Sequence, residues 1–404
     1  MEEEGQILLA GEKPPPNKVV EEGTSTWSAG FALAKTIDGA GCFAMPWAAR
    51  TGGWAGFCVC LFACVVLGAF SLGHLFDLKR RKGAESYAEL ARLTIFDSAA
   101  AGAVVRVLVA VCTTGVASAY VAFIASMMGM TRRWHAVLAA GLLALPTTCL
   151  PSIRRIADAA RVGVAAVGLG SLVVVASGLS TPNGPPLSPF TTFSGFNQCF
   201  GTVAFLFCVH FTVFPVEHAM DEPIEFARVG RVVFGLTGLL NLVFGLVSAA
   251  LYPDVSPVVV NDVEIPILRL LTQLCLCIDL LASYPIIFVA AVHNIAAVPT
   301  DTDDHHKHGD RAFSTTRVAV FLTTVIVALS ESFAAIVAFV GGFGQALLAL
   351  VVPPLMVAIS RRPLSPSAAI LQAATFALGA ALVVSSTTTA VATLIADHHL
   401  ITSE

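Results

Sequence analysis

Residues 35–47 read Lys-Thr-Ile-Asp-Gly-Ala-Gly-Cys-Phe-Ala-Met-Pro-Trp and lie inside a stretch apolar enough to cross a membrane. A carboxylate such as that of Asp38 is costly in hydrocarbon and, where it occurs, usually faces a cavity or a pathway. Gly39 and Gly41 each lower helix propensity by about 1 kcal/mol relative to alanine. The pattern predicts a helix that is interrupted in mid-membrane beside a charge. Interrupted helices of this kind form the substrate and ion sites of many secondary transporters.

The composition of the whole chain agrees with a membrane location. Of 404 residues, 56% are hydrophobic and 12% are charged, and the mean hydropathy is +0.80. Soluble domains carry about 25% charged residues, so we predict an all-α polytopic membrane protein whose surroundings are the lipid bilayer. The net charge is −4 and the basic residues are scattered, which gives no indication of a nucleic-acid partner. The oligomeric state stays open.

The cysteines and the first 26 residues add little chemistry. No cysteine pair has C-x-x-C or zinc-type spacing, and we interpret the cysteines as small core residues of the apolar segments. The ten are Cys42, Cys58, Cys60, Cys64, Cys112, Cys149, Cys199, Cys208, Cys275 and Cys277. Residues 1–26 are acidic and contain Pro14-Pro15-Pro16. They do not have the pattern of a signal peptide, and we predict a disordered tail.

A helix needs about 20 apolar residues to cross the hydrocarbon core. Eleven segments meet this requirement, at roughly 28–49, 53–76, 99–129, 134–151, 160–179, 198–217, 228–251, 266–296, 314–331, 333–360 and 367–396. The longest connecting loops are then predicted at 77–98, 180–197, 252–265 and 297–313. His305, His306 and His308 fall in the last of these loops, which we interpret as a solvated acidic–histidine loop rather than a metal site.

Basic residues predict the orientation. With the N-terminus in the cytoplasm, one face collects most of the Lys and Arg residues, including the run Lys79-Arg80-Arg81-Lys82 and the pair Arg361-Arg362. Positive charge prefers the cytoplasmic side of a membrane. The prediction is therefore a cytoplasmic N-terminus and, with an odd number of spans, a C-terminus on the opposite side.

Three stretches resemble the amino acid/auxin permease family of amino acid transporters. Residues 39–48, Gly-Ala-Gly-Cys-Phe-Ala-Met-Pro-Trp-Ala, are similar to the first-span pattern G-x-G-x-L-x-x-P-x-A. Residues 200–223 resemble the sixth-span pattern, an aromatic run and a histidine followed by P-x-E-x-x-M-x-x-P. Ser283-Tyr284-Pro285 matches a common Y-P in the eighth span. The motifs keep the family's order over about 85% of the chain, and eleven spans are its usual layout.

The resemblance implies a leucine-transporter-type fold, which has two inverted five-helix repeats and, in this family, one further helix. Residues 27–404 would form a single transmembrane domain. Its first repeat would cover 27–179, its second 198–360, and the extra helix 367–396. Spans 1 and 6 would be the paired broken helices. Span 6 has a weaker signal than span 1, since only Gly201 near its start and Pro215 near its end disfavour a helix.

The same resemblance implies a substrate site at these breaks. The ends of a broken helix offer backbone N–H groups to a carboxylate and free carbonyls to an ammonium group. Small residues let a ligand approach the main chain, although a helix-packing role of the glycines is the alternative. The predicted substrate-binding residues are Thr36, Asp38, Gly39, Ala40, Gly41, Phe205 and His210. Tyr120 and Phe343 are weaker candidates for lining the path.

Asp38 departs from the family pattern, which has an apolar residue at this position. It could bind a substrate ammonium, Na⁺ or a proton, or form an ion pair with Lys35. Spans 1 and 8 line a cation site in this fold, so Asp279 could face the same site as Asp38. The candidates for ion or proton coupling are Asp38, Asp279, His210 and Ser283. The alternatives are polar packing of Asp279 against Ser283 and a hydrogen bond of His210 within the bundle. Glu217 is expected to cap or gate span 6 by pairing with a basic loop residue.

The function that follows is a secondary active amino acid transporter that works by alternating access and is driven by H⁺. Na⁺ coupling and an amino acid sensor built on a transporter fold are the alternatives. No nucleotide-binding motif, catalytic constellation or metal site is evident, so we expect neither an enzyme nor a cofactor other than the coupling ion. The plasma membrane and the vacuolar or lysosomal membrane are both possible locations.

Overall fold

A computed structural model of the chain describes residues 25–149, 154–180, 185–218, 220–296, 308–330, 333–360 and 364–401. Within these ranges all regular structure is helical. The helices are α1 Thr26–Ile37, α2 Met45–Gly52, α3 Trp54–Lys82, α4 Tyr87–Thr94, α5 Ala99–Met127, α6 Arg133–Ala144, α7 Arg154–Gly178, α8 Phe193–Phe207, α9 Phe214–His218, α10 Phe226–Leu251, α11 Pro266–Ala296, α12 His308–Ser330, α13 Phe333–Ile359 and α14 Pro366–Ile401. The acidic tail, apart from residues 25 and 26, and His305 and His306 lie outside the described residues.

Six of these helices are long and apolar enough to cross a membrane, by length and composition. They run over Trp54–Lys82, Ala99–Met127, Pro223–Leu251, Pro266–Ala296, Phe333–Ile359 and Pro366–Thr389. Two shorter apolar stretches, Gly163–Gly178 and Thr315–Ser330, lie in α7 and α12. Hydrophobic side chains such as Val104, Leu142 and Leu172 are exposed on the outside of the bundle, which suits contact with lipid rather than water. The prediction of a multi-pass membrane protein agrees with this arrangement.

The predicted loop at residues 77–98 is wrong in part, since these residues hold helical structure. Helix α3 continues through the basic run to Lys82, and Gly83 ends it in the left-handed conformation (φ 66°) that suits glycine. Helix α4 then begins after Ser86, whose hydroxyl accepts a hydrogen bond from the backbone N–H of Glu89. This serine and glutamate have the spacing of a helix-capping pair, and that spacing could have predicted α4.

The first apolar segment is interrupted between α1 and α2. Helix α1 ends at Ile37, and the backbone of Asp38 (φ −88°, ψ 63°) leaves the helical conformation. Gly39 is extended, and residues 40–44 form a short 3₁₀ helix before α2 begins at Met45. Pro46 lies in the first turn of α2, where its missing N–H removes no helical hydrogen bond. The local chemistry of Gly39, Gly41 and Pro46 accounts for both ends of this interruption.

A second interruption separates α8 from α9. Helix α8 is capped by Thr192 and ends at Phe207, where Cys208 (φ −91°, ψ 60°) turns the chain away. Residues 208–213 contain a turn closed by the Thr212 N–H and the Val209 carbonyl, which are 2.9 Å apart. Neither Gly201 nor Pro215 lies in this interruption. No glycine lies in it either, so the propensities of its own residues gave little warning of it.

Gly201 has a packing role instead. A Cβ atom at Gly201 would lie 2.8 Å from the Cα and carbonyl carbon of Ala338 in α13. A Cβ atom at Gly341 would lie 2.5 Å from the backbone nitrogen of Phe205 and would overlap the Gly201 carbonyl. The backbones of α8 and α13 therefore approach closely, as small residues allow in membrane helices. This contact holds α8 in place, and with it the end of the helix that faces the first interruption.

Candidate substrate and ion site

The bare backbone of the first interruption faces α5 and the end of α8. A Cβ atom at Gly39 would lie 4.0 Å from the hydroxyl oxygen of Tyr120 in α5. A Cβ atom at Gly41 would lie 2.6 Å from the Leu206 side chain and 3.5 Å from that of Phe205. The structure thus brings Gly39, Gly41 and Phe205 together. It also accounts for the second glycine, because a larger residue there would press on the last turn of α8.

Two other predicted substrate residues contribute differently. Thr36 donates its hydroxyl to the Ala32 carbonyl at 2.8 Å, a bond within its own helix. Ala40 lies between the two glycines and starts the 3₁₀ turn. Its contribution to a ligand would come from the backbone, as the sequence analysis predicts for residues 39–41. The hydroxyl of Thr36, in contrast, is already hydrogen-bonded within α1, the helix that precedes the interruption.

Asp38 is bound by a residue that the sequence analysis missed. Its carboxylate accepts a hydrogen bond from the side-chain amide of Asn241 in α10 at 2.5 Å. Asn241 also donates to the Thr237 carbonyl, one turn earlier in α10, at 2.9 Å. The amide is buried, and its oxygen has no hydrogen-bond partner among the described residues. The sequence did contain a signal for this contact, because Asn241 is a lone amide within the apolar segment 228–251. Buried polar side chains in membrane helices commonly form hydrogen bonds to neighbouring helices.

Lys35 pairs with Asp279 and not with Asp38. Its ammonium group lies in the last turn of α1 and forms a short ion pair with the carboxylate of Asp279 in α11. Asp279 is 5% exposed. Ser283 donates its hydroxyl to the backbone carbonyl of Asp279 at 2.9 Å, so this bond does not reach the carboxylate. A lysine of the same chain therefore supplies the positive charge beside the Asp279 carboxylate.

Among the side chains that the structure describes around the first interruption, the charges do not balance when all of them are ionised. Lys35 supplies one positive charge, and Asp38 and Asp279 supply two negative charges. A hydrogen bond from a neutral amide lowers the cost of burying the Asp38 carboxylate but does not cancel its charge. One further positive charge, carried by a proton, a metal cation or an ammonium group, would complete the cluster. Among the described residues, no group of three or more His, Cys, Asp and Glu residues could hold a metal ion.

His210 lies in the second interruption, and its described hydrogen-bond contact is with α3. Its side chain is fully buried, and its Nε2 atom lies 3.1 Å from the carbonyl oxygen of Gly68 in α3. Its Nδ1 atom has no hydrogen-bond partner among the described residues. The Gly68 contact fits the alternative that this histidine is hydrogen-bonded within the bundle. The Nδ1 atom, which has no partner among the described residues, could bind a substrate or a proton.

Glu217 has the basic partner that was expected, although the partner lies in a helix. The ammonium group of Lys79, in the last turn of α3, forms a short buried ion pair with the Glu217 carboxylate in α9. The same ammonium lies 5.6 Å from the ring centre of Phe76 and 5.4 Å from that of Phe214. The aromatic faces add a favourable interaction with the cation. This pair joins the helix that follows the second interruption to α3.

These features agree with what comparison with known proteins finds. The profile of the family described as "Transmembrane amino acid transporter protein" matches residues 22–392. The chain belongs to this family. A comparison with curated protein sequences gives no match.

A solved transporter structure shares the fold. The crystal structure of MhsT in complex with L-phenylalanine matches with a TM-score of 0.57 and 12% sequence identity, over 90% of this chain and 98% of that one. MhsT has the leucine-transporter-type fold. At 12% sequence identity, this similarity supports a shared fold. The family match over residues 22–392 confirms the resemblance to the amino acid permeases. This transporter is an integral multi-pass membrane protein.

Proposed function

We propose that this chain moves an amino acid across its membrane as a secondary active transporter, by alternating access. The observation that carries the proposal is the interruption between α1 and α2. There the helix end and the backbone of Gly39–Gly41 lie beside the partly buried carboxylate of Asp38 and against the end of a second interrupted helix. The amino and carboxylate groups of an amino acid need acceptors and donors close together, and the ends of two interrupted helices supply both.

The architecture that we propose has eleven spans. The first repeat takes in residues 27–179, the second 198–360, and residues 367–396 form an added helix. In this arrangement α1 and α2 together are span 1, and α8 and α9 together are span 6. The N-terminus is cytoplasmic, so Lys79 and Glu217 lie towards the inner face. Alternating access would then move the span 1 and span 6 segments relative to the helices that hold them.

For the driving ion we propose H⁺, with Asp38 as its carrier. The cluster of Lys35, Asp38 and Asp279 lacks one positive charge, and a proton on Asp38 would supply it. The hydrogen bond from Asn241 holds the carboxylate in place in either state, since a protonated carboxyl group keeps one acceptor oxygen. Charged substrates and Na⁺ are the competing sources of that charge, and the experiment below separates them.

For the substrate, L-phenylalanine is a suitable first probe. It is the ligand of MhsT in the similar structure, and Phe205, Leu206 and Tyr120 give this site apolar and aromatic walls. A short neutral amino acid such as alanine and a cationic one such as lysine complete the panel. Uptake of lysine alone would indicate that Asp38 binds the substrate side chain.

The test is uptake of these labelled amino acids by proteoliposomes that contain the purified chain. We expect accumulation when the pH is lower on the side that substrate enters, with no requirement for Na⁺. Accumulation only with a Na⁺ gradient would replace the proton by Na⁺. Binding without uptake under either gradient would favour a sensor. The absence of both binding and uptake for a broad panel of amino acids would refute the proposed function.

A further inference from the structure

Helix α14 carries five consecutive hydroxyl residues, Ser-Ser-Thr-Thr-Thr at 385–389, in an otherwise apolar stretch. Apolar side chains on both sides of the run, such as Val384 and Val391, are exposed on the outside of the bundle. Lipid tails are as apolar as these side chains, so the hydrophobic effect does not hold such a helix to its neighbours. Hydrogen bonds between helices can do so, and they need a polar partner on a neighbouring helix.

The partner of the hydroxyl run is Asn197 in α8. Its side-chain amide donates to the hydroxyl oxygen of Thr389 at 2.8 Å and to the carbonyl oxygen of Ser385 at 3.3 Å. Its amide oxygen accepts a hydrogen bond from the Ser385 hydroxyl at 3.0 Å, and the Ser386 hydroxyl lies 3.5 Å from its backbone carbonyl oxygen. Asn197 and Ser386 are 1% and 2% exposed. These four residues form the α8–α14 polar cluster, in which both the nitrogen and the oxygen of the amide are paired.

Helix α13 is shaped to let α14 approach. A Cβ atom at Gly342 of α13 would overlap the hydroxyl oxygen of Ser386 and would lie 3.4 Å from the Cα atom of Gly201 in α8. Closer to the start of α14, a Cβ atom at Gly379 would lie 2.7 Å from the Cβ atom of Leu350 in α13. Close backbone approach at two levels fixes the position of α14 on α13. Helix α14 is therefore a support against which the polar cluster can hold α8.

The opposite face of α8 lies against the end of α2. Cys199 follows Asn197 by two residues, which is about 200° around a helix. The Cys199 side chain is fully buried, and a Cβ atom at Gly52 of α2 would lie 2.6 Å from its Cβ and 2.8 Å from its Sγ atom. The last turn of the same helix brings Leu206 against Gly41 in the first interruption. Helix α8 thus lies between α14 and α2, and its end borders the candidate substrate site.

We propose that Asn197 is a positioning residue through which α14 holds α8 against α2 and thereby sets the affinity of the site for the amino acid. The inference rests on the proposed transport function and adds to it a residue that does not touch the substrate. Without the polar cluster, α8 should tilt away from α2. The gap at Gly41 would then widen, and water would reach the thiol of Cys199.

Uptake kinetics and the reactivity of Cys199 test this role in the full-length protein in proteoliposomes. In Asn197→Leu the KM for L-phenylalanine should rise about tenfold, equivalent to about 1.4 kcal/mol, which is within the range of hydrogen bonds between membrane helices. A water-soluble maleimide, followed by mass spectrometry of the Cys199 peptide, should label the variant severalfold faster than the wild-type protein. Saturating L-phenylalanine should slow this labelling, because the bound substrate draws the end of α8 back to the first interruption.

Variants of α14 show whether the effect comes from the polar cluster. Ser385→Ala combined with Thr389→Val removes the two hydroxyl groups that bind the amide, and it should raise the KM and the labelling rate in the same direction as Asn197→Leu. Adding Asn197→Leu to this pair should change little more, since residues of one hydrogen-bond network are not additive. Thr388→Val is the matched control. Its hydroxyl is exposed and donates to the Ser385 carbonyl of its own helix at 2.9 Å, so both readouts should stay at the wild-type level.

Two results would overturn the inference. One is a folded Asn197→Leu protein, judged by size-exclusion chromatography, that loses thermal stability but keeps the wild-type KM and labelling rate, because the cluster would then only fasten α14. The other is a pair of hydroxyl substitutions on α14 without effect on either readout, and this result decides the question even if Asn197→Leu does not fold. Failure of the wild-type protein to take up any amino acid would instead refute the transport function. The labelling rates of Cys199 without substrate would still report the position of α8.

Discussion

The two helix interruptions of this protein are built from different residues and stand beside different ion pairs. The first, between α1 and α2, contains Gly39 and Gly41 and the carboxylate of Asp38. The second, over residues 208–213, contains no glycine and no acidic residue, and its histidine hydrogen-bonds to the backbone of α3. The first exposes backbone beside charge, and the second turns the chain within an aromatic environment that includes Phe207, Phe211 and Phe214.

The adjacent ion pairs differ in the same way. Lys35 and Asp279 share their surroundings with a third charge, that of Asp38, so a proton or a ligand can change the balance. Lys79 and Glu217 neutralise each other between two phenylalanine rings, and Phe214 stacks on Tyr87 of α4. We infer from this difference that the first lysine–carboxylate pair belongs to a site that responds to a proton or a ligand, whereas the second, of similar burial, has a structural role. We infer that the second pair holds α9 to α3.

The largest effect is expected for Glu217→Ala, which tests whether the pair of Lys79 and Glu217 has a structural role. The substitution leaves the Lys79 ammonium buried without a counter-charge, and the loss of one partner of a buried pair costs about 3–5 kcal/mol. We expect a large fall in thermal stability in detergent. The double variant Lys79→Met, Glu217→Leu should recover most of the loss, because no charge is then buried. Equal losses in the single and double variants would show that the carboxylate has a role beyond the pair.

A second test addresses the packing that holds α8 at the first interruption. In Gly341→Ala the new Cβ atom would meet the backbone of Gly201 and Phe205, which cannot turn aside as a flexible side chain can. Overpacking of this kind costs about 1–3 kcal/mol, and uptake should fall with stability. Gly235→Ala in α10 is the matched control, since nothing lies within 4 Å of its Cβ position. That variant should be neutral or slightly stabilised.

The responsive nature of the first pair is tested by Asp38→Asn against Asp279→Asn. Asp38→Asn should keep the fold, because the neutral side chain no longer needs a compensating charge, but uptake should lose its dependence on the pH gradient. Asp279→Asn should reduce both uptake and stability, since it leaves the Lys35 ammonium unpaired. Asp77→Asn, at a partly exposed carboxylate near the end of α3, is the control. If the pH gradient drives uptake equally well in Asp38→Asn, then Asp38 does not carry the coupling proton.

The smallest expected effect on stability is that of Gly41→Ala. The new Cβ atom would meet the end of the Leu206 side chain at 2.6 Å, and this side chain can rotate away. We expect a fall in stability of only a few tenths of a kcal/mol, roughly 0.5 °C or less in melting temperature for a chain of this size. The KM for the amino acid should rise severalfold, because a methyl group would stand where the ligand approaches the backbone. A stability loss as large as that of Gly341→Ala would identify Gly41 as a packing residue.

The sequence predicted the first interruption better than the second for a physical reason. Gly39, Gly41 and Pro46 act through their own backbone preferences, which are local and therefore visible in a string of residues. The turn at 208–213 has no such residues, and α8 ends there in the context of its packing against α3 and α13. Gly201 appeared to weaken that helix, but it serves a close contact with Gly341 that only the paired helices reveal.

The same division applies to the candidate site. The burial of Asp279 and His210 and the partial burial of Asp38 followed from their place in apolar segments, because each segment is long enough to cross a membrane. The hydrogen-bond and ion-pair partners of these side chains could not be predicted from the sequence. Lys35 lies three residues from Asp38 and 244 residues from Asp279, yet its ammonium pairs with the distant carboxylate. The role of Asn241 was not predicted from the sequence, because its partner Asp38 lies on another helix.

The sequence by itself determined that this protein crosses a membrane many times, that it belongs among amino acid transporters, and that its first helix breaks beside a carboxylate. These properties depend on local quantities such as hydropathy, glycine and proline preferences, and the order of motifs. Only the tertiary structure decided which charges pair. Ion pairing in a helical bundle depends on which faces of distant helices meet, and residue spacing along one helix does not contain that information.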